Sequence, residues 1–257
     1  MIEDYSSITE IAGDNVSKEQ IARVAQRYYW AGQYCKNKDV LEVACGAGQG
    51  LGYLLSISSS IMAGDITQSL VNRASAYYGD RVRITKMTAE ELPFDSKTMD
   101  VVILFEAIYY LSSVEKFISE CRRVLRTKGV ILLATANKDL SDFNESPFSV
   151  RYFNPPELSE LFKNNNFETT FFGGSSVDIN CIKGRAIRFV KRTAVKLHLI
   201  PKSMKGKKWL KRLIFGELVP MPHEFKEGEL EYQAPSLIDG SNPDYVHQVI
   251  YCAAVKR

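Results

Sequence analysis

The sequence predicts an α/β fold, an open and mostly parallel sheet with helices on both faces. Three observations predict it. A short apolar run, Val40, Leu41 and Val43, enters a loop with Gly46, Gly48, Gly50 and Gly52 at alternate positions. Strand-length apolar runs then alternate with helix-length amphipathic segments as far as Phe172. Finally, Asp65 closes the second of those runs, about twenty residues after the loop, where a carboxylate can accept hydrogen bonds from two ribose hydroxyls.

Residues 1–16 show no clear period and read as a flexible arm or a short helix. Ser17-Lys-Glu-Gln20 is a capping-box pattern. It starts a helix to about Cys35, with Ile21, Val24, Ala25, Tyr28 and Tyr29 at helical spacing. The first strand, Val40 to Val43, is interrupted by Glu42. A crossover helix follows from about Gly48 to Ser56. Ile61 to Gly64 is the second strand, and Asp65 at its end reads either as a ribose ligand or as the cap of the helix Thr67 to Tyr78. Val82 to Lys86 is a third strand, and Met99 to Phe105 is the clearest buried strand of all. The helix Val114 to Leu125 leads through a turn at Arg126-Thr-Lys-Gly129 into a strand from Val130 to Ala136. Asn154-Pro-Pro-Glu157 is a helix start, a cap followed by prolines in the first turn, and its helix reaches Asn165. Phe167 to Phe172 is the sixth strand, ended by Gly173-Gly174. His247 to Val255 is the seventh.

The loop after the first strand narrows the ligand. A dinucleotide fingerprint needs G-x-G-x-x-G, which fails from Gly46 (Leu51) and from Gly48 (Tyr53). A Walker loop needs Gly-Lys-Ser/Thr, which is absent. An acid four residues before G-x-G remains. This resembles the first motif of the class I S-adenosylmethionine-dependent methyltransferases, with Glu42, Gly46 and Gly48 at matching positions and Ala44 where the family often has Gly. Met87-Thr-Ala-Glu-Glu-Leu-Pro-Phe94 resembles the family's adenine-side segment, and Leu125-Arg-x-x-Gly-x-x-Leu132 matches again. The resemblance covers about residues 38–172 and implies a Rossmann-like seven-stranded sheet. It also implies that Glu42, Ala44, Gly46, Gly48, Asp65, Ile66, Thr88, Ala89, Glu90 and Phe105 hold S-adenosylmethionine. Thr88 stands where the family usually has an acid. No metal is expected.

Strand ends face the ligand crevice in such a sheet, so Glu106, Tyr109 and Tyr110 are expected near the reacting methyl. Candidate catalytic groups are Glu106, Tyr109 and His223, with His247 and Tyr110 also in reach of consideration. In the resembled family the N-terminal helix can shape the substrate mouth, which makes Tyr28 and Tyr29 substrate candidates. Their alternative is plain core packing. Tyr110 and Tyr152 are further substrate candidates. The segment Asp142 to Phe148 with Tyr152-Phe153 resembles methyltransferases that modify sugars and bacterial surface glycans. That implies a nucleotide- or lipid-linked saccharide methylated on O or N. A small natural product is the alternative acceptor, and a non-catalytic binding module is the alternative outside the enzymes.

The chain has 257 residues, 45% hydrophobic and 25% charged, ordinary for a globular protein. It is divided here into an arm and helix (1–37), a cofactor-binding core (38–172), an insertion (173–246) and a final strand (247–257). The five cysteines form no C-x-x-C pair, which argues for reduced thiols in a cytoplasmic protein and against zinc. No apolar run is long enough to span a bilayer, and the N-terminus lacks signal-peptide character. Net charge is +3, but twelve Lys and Arg lie between Asp178 and Glu217 with no acid among them. Elsewhere 21 basic residues face 30 acidic ones. Within this window 185–215 reads as two basic amphipathic helices. They could pack on the core with a solvated face, contact an anionic membrane at its inner surface, or hold an anionic substrate. Nucleic acid is disfavoured because no aromatic-interleaved reading surface is present. Oligomeric state is open.

Overall fold

The computed structural model describes residues 4–176 and 218–257. The predicted basic helices of 185–215 lie outside the described residues. The N-terminal arm leads into β1 (Asn15–Ser17) and α1 (Lys18–Cys35). Ser17 caps α1, its hydroxyl accepting from the Gln20 amide at 3.1 Å. Then come β2 (Asp39–Val43), α2 (Leu51–Ile57), β3 (Ser60–Asp65), α3 (Gln68–Tyr78), β4 (Arg83–Lys86) and β5 (Met99–Phe105). They are followed by α4 (Val114–Val124), β6 (Leu125–Ala136), α5 (Pro155–Asn164) and β7 (Phe167–Ser176). After the undescribed stretch come β8 (Leu218–Pro220), β9 (Ser236–Ile238) and β10 (His247–Lys256).

The main sheet has the order β4-β3-β2-β5-β6-β10-β7-β9, with β1 and β8 forming a separate ribbon. The five strands β4, β3, β2, β5 and β6 pair in parallel, and β10 runs antiparallel between β6 and β7. The chain moves outward from β2 through β3 to β4, then crosses back to β5 on the other side of β2. The strand order therefore reverses between β2 and β5, and a crevice opens beyond their carboxyl ends. Alternation along the strands feeds two cores. Val40, Val101 and Ile103 pack with α1 and α2, while Leu41, Val102 and Leu104 pack with α4 and α5.

Four details differ from the sequence reading, each for a local reason. α2 begins at Leu51 rather than Gly48, because Gly48 has φ 84° and cannot be helical. The expected turn at Arg126–Gly129 lies within β6, next to a register shift opposite Met99 and Val101, and Lys128 takes φ 63° there. Gly173 and Gly174 do not end β7. A side chain at either would run into an aromatic ring of β10, His247 at 2.2 Å and Tyr251 at 2.5 Å, so the glycines leave room for cross-strand rings. An eighth strand, β9, joins the seven expected ones by pairing with Phe171–Gly173 at the sheet edge.

Candidate functional site

The crevice at the switch point is a cavity of about 570 Å³, within the usual range for a small-molecule site. Its floor is the loop after β2, where Val43, Ala44, Cys45 and Gly46 line the space. Ala44 (φ 55°), Gly46 (φ 58°) and Gly48 (φ 84°) are all left-handed. Glycine adopts that conformation freely and alanine at a cost of about 1 kcal/mol, which explains the frequent glycine at position 44 in similar loops. Gly48 lies just behind the cavity. Its carbonyl accepts from the Tyr78 hydroxyl at 2.7 Å, and that hydroxyl accepts from the Gly52 amide at 3.0 Å.

Two carboxylates flank this loop. Glu42 is buried beneath it, one oxygen accepting from the Tyr28 hydroxyl at 2.8 Å, the other without a partner. Burial pushes its pKa up to about 8. Asp65 lines the cavity at the end of β3. Its Oδ2 accepts from the Gly46 amide at 2.9 Å and its Oδ1 from the Thr67 amide at 2.8 Å. Burial raises its pKa, opposed by these amide donors. Each carboxylate oxygen has room for a second donor, so bracing the loop and accepting ribose hydroxyls are compatible. Ile66 lines the cavity beside it.

At one end of the cavity lie Met87, Thr88, Ala89 and Glu90. The Glu90 amide leans on the Thr88 hydroxyl at 3.3 Å, and the Glu91 amide donates to the Thr88 carbonyl at 3.3 Å. The Glu90 carboxylate turns away and accepts from the Ser112 and Ser113 amides at 2.7 and 3.0 Å, tying this turn to the start of α4.

Beyond β5 the walls are Phe105, Glu106, Tyr109 and Tyr110. Glu106 has φ 51°, a strained value for a side chain of its size. Three contacts hold it there. Its amide donates to the Ala134 carbonyl at 2.8 Å, Arg27 reaches its Oε1 at 2.9 Å, and the Tyr109 hydroxyl donates to its Oε2 at 2.9 Å. Burial, then the Glu106 charge, push the Tyr109 pKa far up, so the phenol keeps its proton. Burial is the largest single influence and disfavours the Arg27 charge, but Glu106, Tyr251, Glu10 and Tyr109 together outweigh it and the pKa is raised.

Other predicted residues sit further out. Tyr28 reaches the cavity wall but packs edge-on against Phe105 at 5.5 Å. Tyr29 does not line the cavity and donates to the Lys226 carbonyl at 2.8 Å. Tyr152 stands behind Tyr109, their rings stacked at 4.3 Å, and its hydroxyl accepts from the Ser146 amide at 2.9 Å. His223 is exposed and stacks on Tyr77 at 4.7 Å, away from the cavity. His247 pairs with Asp244 at 2.9 Å and is not part of the lining either. Among the described residues no group of three or more His, Cys, Asp or Glu is placed to hold a metal.

Two features were not foreseen from sequence. The N-terminal arm crosses the cavity, contributing Tyr5, Ile8, Thr9 and Glu10. The Tyr5 amide donates to Thr67 Oγ1 at 3.0 Å, its ring packs on Tyr110 at 5.0 Å, and Gln49 holds the Glu10 carbonyl at 2.7 Å. The other is the polar stripe Gln20, Arg23 and Arg27 on α1, which also lines the cavity. Its signal was present in the sequence as polar residues at helical spacing alongside the apolar stripe.

The left-handed loop and the acid after β3 suit a nucleoside such as that of S-adenosylmethionine, whereas Glu42, expected at the cofactor, is buried beneath the loop and does not line the cavity. A methyltransferase-domain family model matches residues 41–133. A probable S-adenosylmethionine-dependent methyltransferase of Mycolicibacterium smegmatis is 31% identical over 186 residues, 65% of this chain and 72% of that protein. One of Mycobacterium tuberculosis bearing the same description is 31% identical over 137 residues, and the match spans 52% of this chain and half of that protein. Among solved structures, the YcgJ protein of Bacillus subtilis superposes with TM-score 0.61 at 19% identity, covering 91% of this chain and 99% of that one. By relationship and by fold, this chain is a member of the S-adenosylmethionine-dependent methyltransferases.

Proposed function

We propose that the enzyme methylates a hydroxyl of a saccharide, nucleotide-linked or lipid-linked. The observation that carries the reading is Glu106, a carboxylate fixed on a strained backbone between Arg27 and Tyr109 and facing the cavity. S-adenosylmethionine, when bound, supplies an electrophilic methyl group on a sulfonium. The glycine loop and Asp65 would fix the nucleoside, and Met87–Glu90 would enclose its base. Glu106 would accept the proton of the acceptor hydroxyl at Oε1 or Oε2, while Tyr109, which stays protonated, orients it. Most of the acceleration would come from alignment of acceptor and donor. Gln20, Glu10, Arg23, Ser112 and Ser146 also line the cavity, a polar lining of the kind a polyol can satisfy. The rings of Tyr5 and Tyr110 at the same wall favour a phenolic natural product as the second reading.

Purified protein would be incubated with methyl-labelled S-adenosylmethionine and a panel of free, nucleotide-linked and lipid-linked sugars, with phenols alongside. Label appearing on a sugar hydroxyl supports the proposal, whereas transfer confined to phenols or amines overturns it. Glu106→Gln should lower kcat by about 10²- to 10⁴-fold and leave the affinity for S-adenosylhomocysteine within about threefold. An unchanged kcat would remove Glu106 from the chemistry.

A further inference from the structure

A second cavity, of about 690 Å³, lies on a different face of α1 and shares no lining residue with the first. Tyr29 and Gly32 reach it from α1, Tyr53 from α2, and Glu227 and Tyr232 from the segment between β8 and β9. We infer that this cavity binds an organic ammonium ion carrying alkyl groups, at a site separate from the methyl-transfer chemistry. The inference goes beyond the methyltransferase reading and does not depend on it.

Three observations carry it. First, three aromatic rings surround the space nearly at right angles. Tyr29 meets Tyr53 at 5.0 Å and 71°, and Tyr232 at 6.4 Å and 87°. Among the described residues no ring contact joins Tyr53 to Tyr232, so the gap lies between them. The faces of such rings attract a cation, and alkyl groups on it pack against the same surface. Leu230 and Ile57 extend that apolar surface. Second, the rings are held in place. Tyr29 donates to the Lys226 carbonyl at 2.8 Å, and Tyr232 accepts from Gln33 at 2.7 Å. Gln26 pins the same segment to α1 through the Glu231 carbonyl and the Gln233 amide. A side chain at Gly32 would meet the Tyr53 hydroxyl at 2.2 Å. Glycine weakens a helix interior, and here it makes the notch that seats Tyr53. Third, the charge suits a cation but not a metal. Glu227 is the one acid in the lining, and it has no ion-pair partner among the described residues. α1 and α2 both end at this cavity without a basic residue in the last turn, and helix carboxyl ends favour positive charge. Burial, then the Glu227 charge, push the Tyr53 pKa up to about 12, so its ring stays neutral. A hard metal ion needs several oxygen ligands, whereas one carboxylate and three rings fit an ammonium ion. Lys36, exposed in the same lining, is the one opposing charge.

The test compares two probes by calorimetry on the full chain. Choline carries a trimethylammonium group, and 3,3-dimethyl-1-butanol has the same shape with carbon in place of the charged nitrogen. Choline should bind more tightly by about tenfold or more. Tyr53→Leu and Tyr232→Leu keep apolar bulk and remove the ring, and each should weaken choline by about 2- to 30-fold. Tyr232→Phe keeps the ring and should leave the affinity unaltered. Glu227→Gln should weaken choline and Lys36→Gln should strengthen it, while the neutral alcohol responds to neither exchange. Thermal melting of every variant checks that the fold is kept. The first cavity is also rich in acids, so Glu106→Gln serves as the control and should leave choline binding unchanged. Choline binding no tighter than the alcohol, or indifferent to the tyrosine and Glu227 exchanges, overturns the site. So does binding that Glu106→Gln abolishes, which would place the cation in the first cavity. S-adenosylhomocysteine is titrated separately. Its failure to bind would remove the cofactor reading and leave this inference standing, and choline's failure would do the reverse.

Discussion

Asp65 performs two tasks at the level of a single side chain. It braces the glycine loop by accepting from the Gly46 and Thr67 amides, and it faces the cavity with acceptor capacity to spare. Replacement by Asn keeps one acceptor oxygen and the side chain's shape but loses the charge. Affinity for S-adenosylhomocysteine should fall by about 10- to 100-fold while the melting temperature falls only a few degrees; unaltered affinity would show that the ribose is held elsewhere. Glu42 gives a second residue-scale prediction. Its folded pKa, pushed to about 8 by burial, stands above the ordinary carboxylate value. The folded state therefore binds that proton more tightly than the unfolded chain does. The associated stability is complete below about pH 4.5 and is lost as pH rises through 8. Thermal melting without cofactor should show a decline over that window, and Glu42→Gln should flatten it. A slope of equal size in the variant would rule Glu42 out as the source. That Gly46 and Asp65 meet at one cavity was legible in the sequence because they sit at fixed distances along one strand–loop–strand unit, whereas the burial of Glu42 beneath the loop, outside the lining, was not. Arg27 was not, because its partner Glu106 is remote in the chain and only the packing of α1 brings them together.

Among the elements, α1 and the loop after β2 depend on each other most closely. Gly50 caps α2 without a side-chain bond, and the space beside it is filled by the Tyr28 ring. Gly50→Ala must therefore push α1 away from the loop. The expected result is a loss of about 1–3 kcal/mol in stability, the usual cost of overpacking, together with weaker nucleoside binding. Adding Tyr28→Ala should recover part of the binding loss, since the two residues are coupled. A double variant whose losses simply add would show that the contact does not transmit to the site. Secondary structure within the core was readable because its periods are strong, as in Met99–Phe105 and in Asn154 capping α5. What escaped was set by partners distant in sequence. β9 exists because Phe171–Gly173 offers an edge, and β1 because Val16 pairs with Val219. The arm over the cavity carries no hydrophobic period of its own, since it is held by Thr67, Gln49 and Tyr110.

Across the whole molecule, charge is divided rather than balanced. Twelve basic residues without an acid lie between Asp178 and Glu217, and the remainder of the chain is net acidic. An acidic body with one basic segment is drawn to an anionic surface through that segment alone, because the rest is repelled. Each Lys or Arg near such a surface contributes about 1 kcal/mol, within a Debye length of about 8 Å at physiological salt. None of the described helices is long and apolar enough to cross a membrane. The prediction is that the protein co-floats with vesicles rich in anionic lipid, not with neutral ones, and is released by high salt. Exchanging Arg188, Arg192 and Lys196 for Glu should reduce the bound fraction at least tenfold without altering S-adenosylhomocysteine affinity. Charge-dependent flotation that the three exchanges abolish would favour a lipid-linked saccharide as the acceptor. Flotation that is indifferent to lipid charge, or to the three exchanges, would leave a soluble, nucleotide-linked saccharide as the acceptor to pursue.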